Sequence, residues 1–423
     1  MTLPIEKTET PVLILRSVHH GGLAIARSLG RLGVPVYVLD SNSHAPSFSS
    51  RYCRGKFVWD IDLAPAHDTV DFLVGIARKL RRRPILVPTT DHGALLVADH
   101  GNALRPWFLF PDLPGPLAHS LYRKKDMHFV ARTAGIPTPE AFFPQSKQDL
   151  LNFADSARFP IMVKAIDDRS TRRRGLRTKV IARNKQELIE VYDTIEDPRA
   201  PNLMLQEYIP GGEDGNWMFN GYFDENSTCL FGLTGKKIRQ FPTYTGPTSL
   251  GVCLPNPVVD QMTRDFMKTI GYRGILDIGY RWDARDGLYK VLDVNPRIGS
   301  TFRLFVSDTG MDVARALYFN MTGQPLPAPG GAVLGRKWMV EDFDMLASFG
   351  YWRDRKLAAA DWIRSFRGLQ ESAFFCRDDP RPILTACIND VRELFRLFRR
   401  LELAPQHATR RRSETLLRRV AKG

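Results

Sequence analysis

The amino-acid sequence predicts a chain of mixed α/β and α+β architecture. Between residues 11 and 112, short apolar runs such as VLIL and VYVLD alternate with helical patterns. This alternation is typical of a parallel sheet with helices on its faces. From residue 161 to residue 295, short strands follow one another with tight turns such as DARDG, which indicates antiparallel pairing. The chain therefore combines a parallel-sheet N-terminal domain with a larger α+β part.

Polar residues follow the apolar runs of the parallel sheet. Ligands of such sheets bind beyond the carboxyl ends of the strands. This rule predicts one edge lined by His19, His20, Gly21, Asp40 and Asp91.

Composition limits the class of protein. The 423 residues suggest two or three domains, and an apolar fraction of 43% is enough for sizeable cores. No apolar run approaches the roughly 18 residues of a transmembrane helix. The first ten residues carry acids where a signal peptide would be basic and then apolar. The five cysteines lack metal-ligand or framework spacing, so we expect a cytoplasmic protein without disulfide bonds.

The net charge of +14 is unevenly spread. From Arg396 onward there are nine basic and two acidic residues, so half of the excess lies at the end of the chain. This argues for an effect of the tail and against a nucleic-acid-binding surface over the whole protein.

Two Pro-rich segments divide the chain. FPDLPGP (110–116) and the stretch 321–331 have the composition of linkers. They predict domains at residues 10–112, 113–325 and 326–423. The third is a mainly helical C-terminal extension, with its main helix from about Pro382.

The segment VLDVNPR carries the clearest chemical signal. Alternate residues of a strand share a face, so Asp293, Asn295 and Arg297 point the same way. Two oxygen ligands and a guanidinium suit a Mg²⁺-bound phosphate. Asp277, one hairpin upstream, would add a second carboxylate. The other interpretation is a solvated strand face.

Basic residues elsewhere fit an anionic ligand. Lys164 ends an apolar strand and Lys124 begins a helix, and each is either a phosphate ligand or an ordinary edge or surface lysine. Lys237 and Arg239 are predicted on one strand face. The loop DDRSTRRRG (167–175) could close over phosphates or be a solvated basic loop.

A strand that runs into a turn, LQEYIPG, could bind a purine base. The backbone of Gln206, Glu207, Tyr208 and Ile209 offers a donor and an acceptor for adenine, and the Glu207 carboxylate could take its amino group. Beyond the turn, Glu213 or Asp214 could accept ribose hydroxyls. Acidic residues at a strand end are the alternative interpretation.

The order of these motifs resembles the ATP-grasp superfamily, and within it the carboxylate–amine ligase-like group, over roughly residues 10–325. The resemblance implies a Rossmann-like domain followed by a two-lobed ATP-grasp domain, with ATP and Mg²⁺ as cofactors. Lys124 and Lys164 match the phosphate lysines, and Glu207–Ile209 the adenine-binding hinge. Glu213 or Asp214 matches the ribose acid. Asp293 and Asn295 match the metal pair, and Arg297 the arginine at the reacting group, to which Lys237 and Arg239 would add charge.

The chain departs from the family pattern at two places. The phosphate loop is usually glycine-rich, and here only Gly175 remains after three arginines. The other metal carboxylate stands either at Asp277 or two residues on, where this chain has Gly279; we favour Asp277.

The resemblance implies a ligase that activates a small-molecule carboxylate as an acyl phosphate for attack by an amine. The identity of the amine stays open. A non-catalytic ATP-binding module is the alternative. A nicotinamide oxidoreductase is disfavoured because HHGGLA lacks the GxGxxG spacing.

The C-terminal helix has an apolar stripe of Leu384, Ile388, Val391, Phe395 and Phe398, with arginines mostly beside it. The favoured interpretation is packing on the body of the protein or on a second subunit in a homodimer. The other is weak peripheral contact with an anionic membrane, helped by the basic tail 410–423.

Overall fold

The computed structural model describes residues 5–17, 20–167, 171, 174–197 and 199–402, except for the side chains of residues 213 and 393–402. Within these residues the chain is a mixed α/β structure with one parallel sheet and two largely antiparallel sheets. No helix among them is long and apolar enough to cross a membrane.

The first sheet contains four parallel strands in the order β3-β2-β1-β4. The inner strand β1 consists of four buried apolar residues, as expected for a parallel strand covered on both faces. The predicted strands at 12–15 and 36–40 are confirmed. β3 was not predicted, since its residues alternate between half-buried and exposed and form no apolar run. The strands are β1 Val12–Leu15, β2 Val36–Asp40, β3 Cys53–Val58 and β4 Ile85–Pro88.

Four helices accompany this sheet, and the start of the third positions a site residue. Thr90 caps that helix, since its hydroxyl accepts a hydrogen bond from the amide of Gly93. The cap places Asp91 as the first helical residue, directly beyond β4. The helices are α1 His20–Gly30, α2 Ala66–Leu80, α3 Asp91–Asp99 and α4 Gly101–Leu104.

A small antiparallel sheet follows two helices, α5 Gly115–Tyr122 and α6 Lys124–Thr133. Its strand order is β5-β8-β6-β7, and two capped helices pack on it around a separate apolar core. The strands are β5 Ala141–Phe142, β6 Ile161–Ala165, β7 Lys179–Ala182 and β8 Leu203–Glu207. The helices are α7 Lys147–Ser156 and α8 Lys185–Ile195.

The large sheet has seven strands in the order β13-β12-β9-β10-β11-β14-β15. The predicted antiparallel pairing is confirmed for β9 to β13, and β15 joins β14 in parallel. Its strands are β9 Asn216–Phe223, β10 Cys229–Gln240, β11 Thr248–Cys253, β12 Gly274–Asp283, β13 Leu288–Asn295, β14 Lys337–Met339 and β15 Leu369–Ser372. The helices beside it are α9 Pro257–Thr269 and α10 Val313–Met321.

One apolar core joins the parallel sheet to the large sheet. It includes Val12 and Ile25 from the first sheet and its helix, together with Tyr222, Phe302 and Phe305. Because this packing is continuous, the carboxyl ends of β1 and β4 lie beside the end of β13. Asp91, which follows β4, therefore lies beside the predicted site.

The chain after residue 326 contains strands as well as helices. The strands β14 and β15 extend the large sheet, which therefore crosses the predicted boundary at residue 325. The division into three domains stays a prediction. The helices here are α11 Glu341–Arg353, α12 Ala359–Ser365 and α13 Arg381–Glu402.

The C-terminal helix turns its predicted apolar stripe outward. Leu384 is 64% exposed, Ile388 52% and Val391 51%, and the body is contacted instead by the opposite side, where Ala386 is buried. On that side Asn389 donates to the carbonyl of His44. The expectation that this stripe packs on the body is therefore wrong for these three residues. Those at 395 and 398 lie outside the described side chains.

Candidate functional site

Four cations surround the carboxylate of Asp293. Burial would raise the pKa of Asp293, but the charges of Lys179, Lys124, Lys164 and Arg297 lower it to about 2. The Nζ atom of Lys179 lies 3.9 Å from an Oδ atom of Asp293. Asp91 and Asp277 also act on Arg297, and Lys237 acts on Asp277, so three carboxylates lie among five cations. Cations outnumber carboxylates in this group, which favours an anionic ligand.

The geometry of the small sheet concentrates this charge. Lys164 on β6 stands directly opposite Lys179 on β7, so both side chains extend from the same face. Like charges in directly opposed positions destabilise a sheet. Lys164 is also buried, as is Lys124 at the start of α6. Such an arrangement favours a ligand with several negative charges.

The metal ligands predicted from the sequence lie together on the large sheet. Asp277 on β12 is directly opposite Asn295 on β13, and Asn295 Nδ2 lies 3.4 Å from Asp277 Oδ2. Asp293 is on the same face two residues earlier. Two carboxylates and an amide oxygen are hard oxygen ligands, which fit Mg²⁺ when a substrate phosphate completes the coordination. The described residues contain no group of three or more His, Cys, Asp or Glu that could hold a metal.

Gly279 is the alternative position for the metal carboxylate that we assign to Asp277. It is directly opposite Asp293, and a Cβ atom added there would meet no heavy atom within 4 Å. At Gly299, by contrast, a Cβ atom would come within 2.5 Å of the Asp277 carboxylate. The backbone of Gly299 thus packs closely on Asp277, while the space beside Asp293 is open.

Arg297 connects the metal ligands to the parallel sheet. Its Nε donates to an Oδ atom of Asp91 at 2.6 Å and its Nη2 to the side-chain oxygen of Asn295 at 3.3 Å. Burial lowers the pKa of Arg297, but the charges of Asp91 and Asp277 raise it overall. Asp91 therefore holds the guanidinium beside the site.

Lys237 and Arg239 point to opposite sides of the large sheet. A bulge between them sets two residues of β10 against one of β11, so the predicted shared face is wrong. Lys237 lies near Asp277, whose pKa is raised by burial and lowered in part by the charges of Arg297 and Lys237. Arg239 is buried and donates two hydrogen bonds to Asp344, at 2.8 and 2.7 Å. Arg239 therefore helps to hold α11 against the large sheet.

The predicted adenine-binding hinge is held by the hairpin between β12 and β13. Arg281 donates to the carbonyl of Ile209 at 2.9 Å, and the Glu207 carboxylate pairs with Arg285 at 2.5 Å. The Glu207 amide donates to the carbonyl of Glu140. Glu207 thus faces a guanidinium here, and its contact with an adenine amino group stays a prediction.

The remaining predicted residues lie on or beside this hinge. Gln206 and Ile209 are buried and Tyr208 is half-buried. Asp214 is almost fully exposed and pairs with Lys236 at 2.9 Å. The side chain of Glu213 lies outside the described residues, as do five residues of the basic loop at 168–170, 172 and 173.

Sequence reasoning missed the roles of three site residues. Lys179 was inside a predicted strand, but its position opposite Lys164 depends on the register of the pair. Asp91 was placed at a sheet edge without a partner. Asn220 on β9 is fully buried and stands directly opposite Asp277. Asn220 is the polar residue within the apolar run WMFNGYF, and this was the only feature of the sequence that pointed to it.

Comparison of the sequence with known proteins gives one relative of particular interest. No family model matches the chain. It is 24% identical over 246 residues to D-aspartate ligase of Enterococcus faecium, a match that covers 55% of this chain and 58% of that enzyme. The chain thus spans little more than half the length of that relative.

Two solved structures superpose over most of the chain. N5-carboxyaminoimidazole synthetase of Staphylococcus aureus gives a TM-score of 0.59 at 13% identity, covering 80% of this chain and 83% of that one. The biotin carboxylase domain of the Hydrogenobacter thermophilus 2-oxoglutarate carboxylase, a complex with MgADP, ADP and bicarbonate, gives 0.58 at 16% identity, covering 77% and 72%. The chain therefore shares the fold of these two enzymes, which is the ATP-grasp fold.

Proposed function

We propose that this protein is an ATP- and Mg²⁺-dependent ligase that activates a substrate carboxylate as an acyl phosphate for attack by an amine. The observation that carries the proposal is the convergence of Lys124, Lys164, Lys179 and Arg297 on Asp293. Phosphoryl transfer requires positioning and charge neutralisation more than covalent chemistry by the protein. A site with surplus positive charge around a metal-binding carboxylate meets that requirement.

The similar proteins support the same chemistry. D-aspartate ligase is named for a ligation, and the biotin carboxylase domain was solved as a complex with MgADP and bicarbonate. As part of the proposal, we infer from these similar proteins that this chain uses ATP, Mg²⁺ and a carboxylate.

The reaction has two balanced steps. First, an oxygen of the substrate carboxylate attacks the γ-phosphorus of ATP, the bond to the β-phosphate breaks, and ADP leaves. The amine nitrogen then attacks the carbonyl carbon of the acyl phosphate, the C–O bond to phosphate breaks, and inorganic phosphate and a proton are released. The product is an amide.

Each residue group has a role in this scheme. The three lysines offset charge on the triphosphate, which stabilises the transition state electrostatically. Bound Mg²⁺ would neutralise charge between the phosphates, and Asp293, Asn295 and Asp277 are the residues that would hold it. Arg297, oriented by Asp91, and Lys237 would stabilise the acyl phosphate.

The proposal also includes the hinge, the division into domains and the location of the protein. Gln206–Ile209 would bind adenine, and Glu213 or Asp214 the ribose hydroxyls. We further propose the division into a Rossmann-like domain, a two-lobed ATP-grasp domain and a C-terminal extension. A cytoplasmic location and a homodimer stay predictions, as does weak membrane contact of the C-terminal helix.

Measuring ADP release with pooled carboxylates and amino acids tests the proposal. We expect release that requires Mg²⁺ and both substrate pools, and Asp293→Ala and Lys164→Ala variants that fold but lose it. Glu225→Ala, an exposed acid of a surface turn, is the matched control. If the protein binds MgATP without any turnover across the pools, the alternative of a non-catalytic ATP-binding module is favoured.

A further inference from the structure

The outward faces of α11 and α12 expose several large apolar side chains. Phe349 is 60% exposed and Trp352 63%, whereas Ala347 and Tyr351 on the opposite side of α11 are buried. Contiguous apolar patches of this kind mark interaction sites. We call this patch the α11–α12 surface; its members are Met345, Leu346, Phe349, Trp352, Trp362 and Ile363.

An aromatic groove lies within this surface. Phe349 and Trp352 from α11 and Trp362 from α12 line a depression of about 230 Å³. The Nε1 of Trp362 donates to the hydroxyl of Ser348 at 3.0 Å, so the polar edge of that ring is satisfied inside the protein. The exposed parts of the Trp362 and Phe349 rings are therefore apolar.

The segment 353–367, part of which lines the groove, is rich in basic residues. Between residues 353 and 367 there are five basic and two acidic residues, all of them exposed. Both acids are ion-paired within the segment, Asp354 with Arg353 and Asp361 with Arg364. The segment thus has a net charge of +3. The acids of α11 are Glu341, Asp342 and Asp344, of which Asp344 pairs with Arg239 and Glu341 accepts from backbone amides, which leaves Asp342 as the acid beside the apolar face.

We propose that the α11–α12 surface docks on an anionic lipid bilayer. Tryptophan and phenylalanine are the side chains that insert at the boundary between headgroups and acyl chains, and arginine and lysine contact the anionic headgroups. The combination of rings and surrounding cations matches both features of that boundary. The proposal is independent of the ligase activity.

Charge favours a bilayer over a second copy of the chain. In a two-fold symmetric interface the same patch meets itself, so the net positive segments would be brought together and repel. An anionic surface attracts the cations of this segment.

The predicted C-terminal helix lies beside this surface. Asp342 is on the same face of α11 as Met345, and its pKa is raised by burial and by the charge of Asp390 on α13, among other groups. The two helices are therefore neighbours. The α11–α12 surface contributes the tryptophans, which α13 lacks.

Co-sedimentation with vesicles tests the proposal. The full-length protein is mixed with vesicles of phosphatidylcholine alone or with about 30% phosphatidylserine, at low and high salt. We expect binding to the phosphatidylserine vesicles that weakens as salt rises. The double variant Phe349→Ser/Trp352→Ser should bind roughly tenfold more weakly or worse, because the apolar contribution is lost.

Matched variants separate the surface from other causes. Leu334→Ser changes an equally exposed leucine elsewhere and should bind as the wild type does. The charge variant Lys356→Gln/Arg367→Gln, which leaves the rings in place, should lower binding and its salt dependence. Leu384→Ser/Ile388→Ser reports separately on α13. Thermal melts confirm that each variant folds.

Three outcomes would overturn the proposal. The first is wild-type binding by both the ring variant and the charge variant. The second is equal binding of the wild type to vesicles with and without phosphatidylserine. The third is no vesicle binding at low salt together with a dimer that the Phe349→Ser/Trp352→Ser variant abolishes, which would assign the surface to a second copy.

Discussion

Replacing Lys179 with methionine removes one of the lysine charges around Asp293 and keeps an unbranched side chain of similar length. Two unit charges about 4 Å apart interact by about 4 kcal/mol at the effective dielectric constant of a protein surface. Lys179 is 31% exposed, so solvent screens part of the attraction between this lysine and a bound phosphate. We therefore expect MgATP binding to weaken by about 1.5–2 kcal/mol, roughly 10- to 30-fold in Kd.

The same change should hardly affect the protein without nucleotide. Loss of the ion pair with Asp293 is opposed by relief of the repulsion from Lys164 directly across the sheet. We expect the free energy of unfolding to change by less than about 1 kcal/mol. This combination distinguishes a charge held for a ligand from one that stabilises the fold.

Isothermal titration with MgATP and thermal melts measure the two effects. Lys185→Met is the matched control, because Lys185 pairs with Asp155 on an exposed helix of the same small sheet. Its MgATP affinity should equal that of the wild type. The reasoning would be refuted if Lys179→Met bound MgATP within about twofold of the wild type.

Three further predictions follow from the site. Because burial raises the pKa of Asp277 above its ordinary value of 3.8, the charged carboxylate costs stability above that range and not below it. Asp277→Asn should therefore raise the melting temperature of the nucleotide-free protein near pH 7 but not near pH 3; a drop at pH 7 would contradict this. Gly279→Asp should lower the Mg²⁺ concentration for half-maximal ADP release by roughly threefold or more, since the position beside Asp293 is open; an unchanged Mg²⁺ titration would count against it. Asp91→Asn should lower kcat by roughly 10- to 100-fold through loss of Arg297 orientation, with the Kd for MgATP almost unchanged; equal loss of both would show that Asp91 acts on the fold.

Local patterns were sufficient for much of the architecture. The apolar run 12–15, the alternation in 288–295 and the helix from Lys124 depend on neighbours within a few residues, and each lies where the sequence predicts it. Because alternate residues of a strand share a face, the sequence likewise places Asp293 and Asn295 on one face. The same periodicity fails at Arg239, because a bulge in β10 inserts one residue and reverses the face.

The sequence by itself determined which residue types could bind a metal and phosphates, since their chemistry and short spacing are local properties. Only the tertiary structure determined which other residues lie close to them. Lys179 joins the site through the register of β6 and β7, and Asp91 reaches Arg297 across 206 residues because one apolar core joins two sheets. The outward direction of Leu384 was also undetermined, since an apolar stripe specifies a helix face but not what covers it. Pairing and packing between distant segments depend on the whole chain, and no local pattern encodes them.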